Sequence, residues 1–330
     1  MRRVVSIVCL ALGLAVAGVA QAQEKITLKL GWVTSDSPDD PYAIGAHAFK
    51  DIVEQRSGGR IEVQLFPNRQ LGDELRLLEG IRFGTVDAGV VINSVVGQLE
   101  PAYQVHELPF MYETVTDARR VLDGPIGAKL ADRLAQKGII VLGSIDGGFR
   151  VMLNNKRPLA TPTDMSDIKF RVMQNPIFVD MFTQFGGNPI PLPIGETFIA
   201  VQQGTVGGID IATPFIEPNK WHEVFHYVSL TNHTYSAAHL LLSKRVFDKL
   251  PDDLKEIVKE SGHEAAERQR AVYDELLAKT LTVLKDRGME VNEVSDVASW
   301  RDRVTPIYEK FRDVVGSDIM DEVTAASVAK

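Results

Sequence analysis

Strand-like and helix-like segments alternate along this chain from residue 26 onward, and that alternation limits its fold more than any other feature. ITLKLGW, residues 26–32, carries an apolar residue at every second position, and residues 41–59 form a helical pattern that ends at Gly58 and Gly59. A strand at 60–67, a helix at 73–84 and a strand at 85–92 follow. This order predicts an α/β fold with a mainly parallel sheet covered on both faces.

The second half of the chain repeats the same order. After a buried-looking strand at 139–145 come a strand at 168–173, helices at 176–185 and 196–203, and a strand at 207–212. Gly84-Thr85-Val86 and Gly204-Thr205-Val206 each follow a helix and begin a strand. Helix-glycine-strand joints are common in α/β folds. Together with the matching order of elements, the match predicts two similar lobes.

A helical pattern without an internal proline covers residues 251–288. It has Pro251 and Asp252 at its start and Gly288 at its end. A continuous helix of this length would run roughly 50 Å, which exceeds the width of one lobe. We therefore expect this helix to span both lobes.

The first residues have the pattern of a secretory signal peptide. Arg2 and Arg3 precede an apolar run, and Ala20-Gln21-Ala22 forms an A-x-A cleavage pattern. The alternative is a single membrane anchor, but the run is at the short end for spanning a bilayer. We predict cleavage after Ala22. Because Cys9 is the only cysteine, the exported chain would contain no disulfide and no cysteine-ligated metal.

Composition excludes some classes of function. The formal charge is −8, and loss of Arg2 and Arg3 with the signal peptide takes it to −10. No basic run interrupts this acidic chain, so we do not expect a nucleic-acid partner. The sequence contains no G-x-S-x-G, P-loop or G-x-G-x-x-G motif. We therefore assign no catalytic residue, cofactor or metal ligand.

One string retains an enzymatic alternative. His222-Glu223-x-x-His226 matches H-E-x-x-H, which on a helix binds zinc through both histidines and uses the glutamate as general base. However, Pro218 and the strand-like YVSLTN leave room for only one or two turns of helix. A periplasmic zinc-dependent hydrolase is therefore the alternative function, and two histidines on a surface turn are the simpler interpretation.

Two arginines lie in strand-like segments where a guanidinium would be costly to bury without an anion. They are the centres of Phe149-Arg150-Val151 and Phe170-Arg171-Val172. Arginine suits a planar carboxylate because it can donate two parallel hydrogen bonds. Each could instead pair with an internal acid such as Asp146, Asp164, Asp167 or Asp210. Because both lie in matched strands beside a predicted interlobe crossing at Gly147-Gly148, we favour an anionic ligand.

A series of short motifs extends through nearly the whole exported sequence. They are Phe66-Pro67 with Gln70-Leu71-Gly72-Asp73-Glu74, Leu108-Pro109-Phe110, Gly148 to Arg150, Pro162 to Val172, Gly186 to Pro193, and Trp221 to Ser236. Their order and spacing resemble those of the DctP-like solute-binding proteins of TRAP (tripartite ATP-independent periplasmic) transporters.

The resemblance implies a two-lobed periplasmic-binding-protein-like α/β fold with a ligand cleft between the lobes and a long helix spanning both. Arg171 matches the family's principal carboxylate-binding arginine, and Arg150 matches its second common contact. The other implied ligand contacts are Ser35, Asp39, Tyr42, Asn93, Gln174, Asp210 and Tyr235.

Three positions depart from the common family pattern. Gly207-Gly208-Ile209-Asp210-Ile211 stands where many members have Asp-Gly-Gln-Glu-Asn, so a frequent asparagine contact is absent. Leu75 replaces a frequent arginine, with Arg76 displaced by one position, and Tyr42 replaces a frequent histidine. These changes retain both arginines but leave the rest of the ligand open.

We therefore expect a periplasmic monomer that is not an enzyme. It would capture a hydroxy acid, sugar acid or C4-dicarboxylate through the two arginines and deliver it to integral membrane subunits of a TRAP transporter. The expected lobes are residues 23–147 with about 236–270, and residues 148–235 with about 271–330, after a signal peptide at 1–22.

Overall fold

The computed structural model describes residues 25–328, so the predicted signal peptide, residues 1–22, lies outside the described residues. The ten strands of this part are β1 (Ile26–Gly31), β2 (Ile61–Phe66), β3 (Ala88–Ile92), β4 (Ile139–Asn154), β5 (Lys169–Val172), β6 (Asn188–Pro191), β7 (Gly208–Ala212), β8 (Tyr227–Leu230), β9 (Tyr235–Ser243) and β10 (Glu290–Glu293).

Twelve α-helices complete the described part of the chain. They are α1 (Pro41–Arg56), α2 (Glu74–Phe83), α3 (Asn93–Leu99), α4 (Val115–Asp123), α5 (Pro125–Gln136), α6 (Pro176–Gln184), α7 (Ile194–Gln202), α8 (Lys244–Phe247), α9 (Asp252–Ala271), α10 (Tyr273–Asp286), α11 (Val297–Val315) and α12 (Ser317–Val328). None of the helices in residues 25–328 is long and apolar enough to cross a membrane.

Two units of the same topology make up the two halves of the sheet. The first unit, β1 to β3 (residues 26–92), has strand order β2-β1-β3, and the second, β5 to β7 (residues 169–212), has order β6-β5-β7. All strand pairs inside each unit are parallel. Parallel strands joined by helices are typical of α/β folds. The predicted fold class is therefore confirmed.

The short sequence match between the halves has the same geometry in both units. Gly84 and Gly204 adopt left-handed φ values of 76° and 70°. After Gly84, two backbone N–H groups donate to the carbonyl of Gly80, and after Gly204 the equivalent pair donates to the carbonyl of Ala200. Glycine adopts this conformation without steric cost, which explains its place at both helix ends.

The sheet as a whole is mixed, so the predicted parallel pairing holds inside the two units but not for the strands that lie between them. β4 and β9 lie between the two units and pair antiparallel with each other, with β3 on one side and with β7 on the other. The expected strand 139–145 extends to Asn154, with a register shift between Asp146 and Gly148. Antiparallel return strands thus join two parallel units.

The predicted crossing at Gly147-Gly148 contains a close backbone approach. Gly148 has φ 94°, and a Cβ atom there would lie 1.9 Å from the hydroxyl oxygen of Tyr273. Only glycine is compatible with both conditions. Tyr235, opposite Phe149 in β9, donates its hydroxyl to Asp146 Oδ1 at 2.5 Å.

The predicted long helix is interrupted. Val272 separates α9 from α10, and its N–H donates to the carbonyl of Gln269, three residues back rather than four. α9 packs on α1 and β4, whereas α10 packs on the segment after β7 and on β10. The two helices therefore reach both halves of the molecule, as expected, but as two segments.

Candidate functional site

A cavity of about 230 Å³ lies between the two units, at the carboxyl ends of their parallel strands. Its wall includes Thr34 after β1, Ile92 at the end of β3, Arg171 in β5 and Phe215 after β7. In open α/β sheets ligands bind outside the carboxyl ends of the strands, where loops from several strands meet. A wider outer recess shares Arg171 and Glu74 with the cavity and includes Gln98 and Gln174.

Arg171 projects a buried guanidinium onto the cavity wall. The residue is 4% exposed, and its Nε donates to the carbonyl of Leu192 at 2.8 Å. Within residues 25–328, neither terminal nitrogen has a hydrogen-bond partner. Burial lowers the pKa of Arg171 to about 10, so the group remains charged at neutral pH. A fixed cation with two free donors suits a carboxylate.

Arg150 also lines the cavity, but most of its donors bond to Asp210. Its Nε donates to Asp210 Oδ2 at 2.5 Å and its Nη2 donates to the Asp210 carbonyl at 2.8 Å. Nη1 is 3.5 Å from the hydroxyl of Ser236. Burial disfavours the cation, yet Asp210 raises the pKa of Arg150. Arg150 thus pairs with Asp210, one of the internal acids that the sequence offered as an alternative to a ligand.

Asp210 lies behind Arg150 and is not on the cavity wall. Its carboxylate is completely buried, and His233 Nε2 is 3.7 Å from Oδ2. Burial would favour the neutral acid, but Arg150 holds the pKa of Asp210 well below its ordinary value. Asp210 therefore orients Arg150 and keeps it charged.

Two of the other residues implied by the resemblance border the cleft. Tyr42 lines the cavity, with its ring 4.9 Å from that of Phe215. Gln174 is exposed in the outer recess, and its carbonyl accepts a hydrogen bond from Gln98 at 3.0 Å.

Four implied residues lie outside the cavity wall because other parts of the protein engage them. Asn93 donates to Glu107 and accepts from His239, Tyr235 bonds to Asp146, Asp39 pairs with Lys279, and the Ser35 N–H donates to Asn219.

Glu74 and Arg69 are cavity residues that sequence reasoning did not select. Glu74 begins α2, and burial raises the pKa of its carboxyl group to about 7, although Arg171 acts in the opposite direction. Arg69 reaches across to Gly195, where a Cβ atom would lie 2.9 Å from its side chain. Glu74 is the last residue of the Gln70-Leu71-Gly72-Asp73-Glu74 motif and Arg69 immediately precedes that motif, which was the available signal for both residues.

The far wall is apolar and aromatic, with one donor group that is unpaired among the described residues. Phe198, Phe215 and Trp221 line it, and the Trp221 ring lies 6.1 Å from that of Phe198. Trp221 is 4% exposed, and its indole N–H has no partner among the described residues. The cavity thus combines three cations, a carboxyl group, an unpaired indole N–H and apolar surface.

The H-E-x-x-H string does not form a zinc-binding helix. Trp221–Glu223 is a single 3₁₀ turn, and the chain leaves helical geometry before His226. His226 Nδ1 lies 2.8 Å from Asn155 Oδ1. Residues 25–328 contain no cluster of His, Cys, Asp and Glu that could hold a metal ion. The zinc-hydrolase alternative therefore has no structural support.

Comparison with known proteins places this geometry in a family. Residues 32–313 match the model of the DctP family, described as bacterial extracellular solute-binding protein, family 7. The 2,3-diketo-L-gulonate-binding periplasmic protein YiaO of Escherichia coli (strain K12) is 30% identical over 295 residues, which cover 89% of this chain and 86% of that protein.

Two solved structures are similar over nearly their whole length. A TRAP periplasmic solute-binding protein from Polaromonas sp. JS666, bound to D-erythronate, is 35% identical with a TM-score of 0.89, covering 93% of this chain and 100% of that chain. The sugar acid binding protein DctPAm from Advenella mimigardefordensis, in complex with galactonate, is 31% identical with a TM-score of 0.89, covering 92% and 98%.

Proposed function

The chain belongs to family 7 of the bacterial extracellular solute-binding proteins, and from this premise we propose that it binds a sugar acid in the periplasm and delivers it to the membrane subunits of a TRAP transporter. Relatives that bind D-erythronate, galactonate and 2,3-diketo-L-gulonate support a hydroxylated carboxylate as the ligand. The protein acts by binding and release, without covalent chemistry.

The observation that carries this proposal is the state of Arg171. Its guanidinium is buried at the cavity, and within the described residues its two terminal nitrogens donate to no protein group. A buried cation with unused donors is costly unless an anion completes it. A ligand carboxylate that accepts one N–H from each terminal nitrogen would do so with bidentate geometry.

Arg150 supplies the second, less demanding contact. Asp210 engages Nε and Nη2, which leaves Nη1 with only the 3.5 Å contact to Ser236. A single N–H directed at the carboxylate has weaker geometric requirements than the Arg171 pair. The charge of Arg150 also attracts the anion, although Asp210 offsets part of it.

The remainder of the cavity favours a ligand with hydroxyl groups. The carboxyl oxygens of Glu74 can accept hydrogen bonds from ligand hydroxyl groups, and the indole N–H of Trp221 can donate a hydrogen bond to a ligand hydroxyl oxygen. Polar groups that stay unpaired when the wrong ligand binds give a site its discrimination. A purely apolar acid would offer neither group a hydrogen-bond partner.

The site lies between two lobes that we propose to be residues 23–147 with about 236–270 and residues 148–235 with about 271–330. We further propose that the protein is a monomer and that residues 1–22 are removed on export. Its partners are the carboxylate ligand and the integral membrane subunits of the transporter.

A thermal-shift panel tests the proposal. D-erythronate, D-galactonate and 2,3-diketo-L-gulonate are compared with succinate and with galactitol, which has the polyol of galactonate but no carboxylate. A ligand at 100 times its Kd adds about 2.7 kcal/mol of stability. We expect at least one sugar acid to raise the melting temperature and galactitol to have no effect. No shift with any acid, or an equal shift with galactitol, would overturn the carboxylate assignment.

A further inference from the structure

One amide side chain bridges the two units beside the cavity. Asn219 follows β7 of the second unit and lines the cavity. Its Oδ1 accepts from the Ser35 N–H at 3.1 Å, and its Nδ2 donates to Asp40 Oδ2 at 3.0 Å. Ser35 and Asp40 belong to the loop between β1 and α1 of the first unit. Both polar ends of Asn219 thus bond across the cleft.

The two oxygens of the Asp40 carboxylate have different hydrogen-bond partners. Oδ1 accepts from the Thr34 hydroxyl at 2.8 Å and from the backbone N–H groups of Tyr42 and Ala43 at 2.9 and 3.3 Å, which caps α1. Oδ2 faces Asn219, with the Ser35 hydroxyl 3.4 Å away. The cap fixes the carboxylate, so Oδ2 is held ready for a donor from the second unit.

This bridge lies next to the ligand cavity without being part of the arginine site. Asp40 is completely buried and is absent from the cavity wall, whereas its neighbours Thr34 and Tyr42 are on that wall. The bonds join residues on opposite sides of the cleft, so they require the two units to be closed over the cavity. A charged acceptor also makes a stronger hydrogen bond than a neutral one.

We propose that Asp40 and Asn219 form a latch that stabilises the closed state and prolongs ligand residence. The inference rests on the proposed function, because the latch has a role only if the cavity holds a ligand. In this view Asn219 is a positioning residue: its contribution to affinity comes from holding the units together, through Asp40, rather than from the carboxylate site.

Isosteric exchange of the two side chains tests the latch. Asp40→Asn can keep Oδ1 as the helix cap while it turns an NH₂ group toward the Asn219 NH₂ group, so two donors face each other. Asn219→Asp places two carboxylates together. The double variant Asp40→Asn with Asn219→Asp restores a donor and an acceptor across the cleft. Asp296→Asn is the control. It makes the same substitution at the N-cap of α11, where Asp296 accepts a hydrogen bond from the Ser299 N–H of its own helix.

Two measurements follow the latch in these variants. The predicted exported chain, from residue 23, contains no cysteine, so Glu79→Cys on α2 and Gln202→Cys on α7 can carry spectroscopic labels that report the separation of the units. Calorimetry with D-galactonate gives the affinity. We expect each single exchange to weaken binding about ten-fold and to lengthen the label separation. The double exchange should recover part of both, because an aspartate at position 219 cannot donate to the Phe215 carbonyl as Asn219 does at 3.1 Å.

The outcomes separate the latch from the proposed function. If the single and double variants all match the wild type in affinity and in label separation, with and without D-galactonate, the latch is wrong. If the double exchange is as weak as the sum of the two single exchanges, the residues act independently and the latch is also wrong. If the wild type does not bind D-galactonate, the proposed ligand fails, and the label separation without ligand still decides the latch: we expect the single exchanges to lengthen it and the double exchange to restore it in part.

Discussion

The side chain of Arg150 donates from Nε to Asp210 Oδ2 at 2.5 Å, and the two side chains are 4% and 0% exposed. A buried pair of this kind stabilises a protein little compared with apolar packing, but removal of one partner leaves an uncompensated buried charge. The pair therefore holds Arg150 at the cavity, and the stability of the fold depends on the presence of both partners. Within residues 25–328, no acid forms an equivalent ion pair with Arg171.

Replacement of Arg150 by methionine should destabilise the ligand-free protein. Asp210 would lose its cation in a site without solvent, and we expect the free energy of unfolding to fall by about 3 to 5 kcal/mol. Urea denaturation without ligand measures this change. The double variant Arg150→Met with Asp210→Leu should recover part of the loss, because no charge is then left unpaired. An unchanged midpoint in Arg150→Met would contradict this role.

Replacement of Arg171 by lysine should weaken ligand binding and leave the stability of the ligand-free protein unchanged. Lysine keeps the charge but not the planar pair of donors, so we expect a normal fold and an affinity lower by a factor of about 30 to several thousand, equivalent to roughly 2 to 5 kcal/mol. Calorimetry with D-galactonate, beside melts of the ligand-free protein, measures both properties. Arg150→Lys should lower the affinity less. Wild-type affinity in Arg171→Lys would rule out the clamp.

The two arginines could be selected from the sequence because strand periodicity and side-chain chemistry are local properties. Each arginine is the centre of an apolar triplet, Phe149-Arg150-Val151 or Phe170-Arg171-Val172. Its guanidinium therefore lies in an apolar strand, whatever the position of that strand in the fold. The partner of Arg150 is not local, since Asp210 is 60 residues away and is brought alongside by the antiparallel register of β4 and β7. Strand patterns do not reveal that register.

Asn93 illustrates the same limit. The resemblance implied a ligand contact at Asn93, whose side chain donates to the Tyr103 carbonyl and to Glu107, in a 3₁₀ segment, and accepts from His239 in β9. These partners come from distant parts of the chain. Glu74 was not selected because an acid in the first turn of a helix is ordinary. Only the fold shows that this helix starts at the cavity.

Stability should fall as the pH rises from about 6.5 to 8. Burial raises the pKa of Glu74 and of Glu107 to about 7 in the folded protein, from an ordinary value of 4.5. In this window the folded state binds more protons than the unfolded state, so the free energy of unfolding decreases with pH, by about 1 to 2 kcal/mol in total. Chemical denaturation at a series of pH values measures the slope.

The buried histidines oppose this slope only at its acid end. Burial lowers the pKa of His106 to about 4 and that of His239 to about 3. Their effect on stability ends about one pH unit above the ordinary histidine pKa of 6.5, because from there upward they are neutral in both states. Glu74→Gln and Glu107→Gln should each reduce the alkaline slope. A slope that persists in the double variant would show that other groups cause it.

Ligand should close the two units about the strands that join them. In the paired strands β4 and β9, Gly148 lies opposite Ser236 and Phe149 opposite Tyr235, and Val272 separates α9 from α10. These positions are the expected hinges of a bilobal binder whose two faces share one ligand. Small-angle scattering should show a smaller radius of gyration with saturating D-galactonate than without ligand. An unchanged radius, in a sample shown by calorimetry to be saturated, would count against closure.

Trp221 should contribute to affinity through its indole N–H. The ring is buried against Phe198 and Phe225, and its Nε1 has no partner in residues 25–328. Trp221→Phe keeps an aromatic ring and removes a donor that the ligand-free protein does not use. We expect an unchanged melting temperature without ligand and an affinity for D-galactonate lower by about three- to ten-fold, the effect of one hydrogen bond.

Trp300→Phe is the matched control for this substitution. The Trp300 indole donates to the carbonyl of Ala160 at 3.4 Å and packs against Phe185, away from the cavity wall. Its loss should lower the melting temperature of the ligand-free protein and leave affinity unchanged, which is the reverse of the result expected for Trp221. If Trp221→Phe lowers the melting temperature and binds D-galactonate normally, its indole has a structural role and the far wall offers the ligand no donor there.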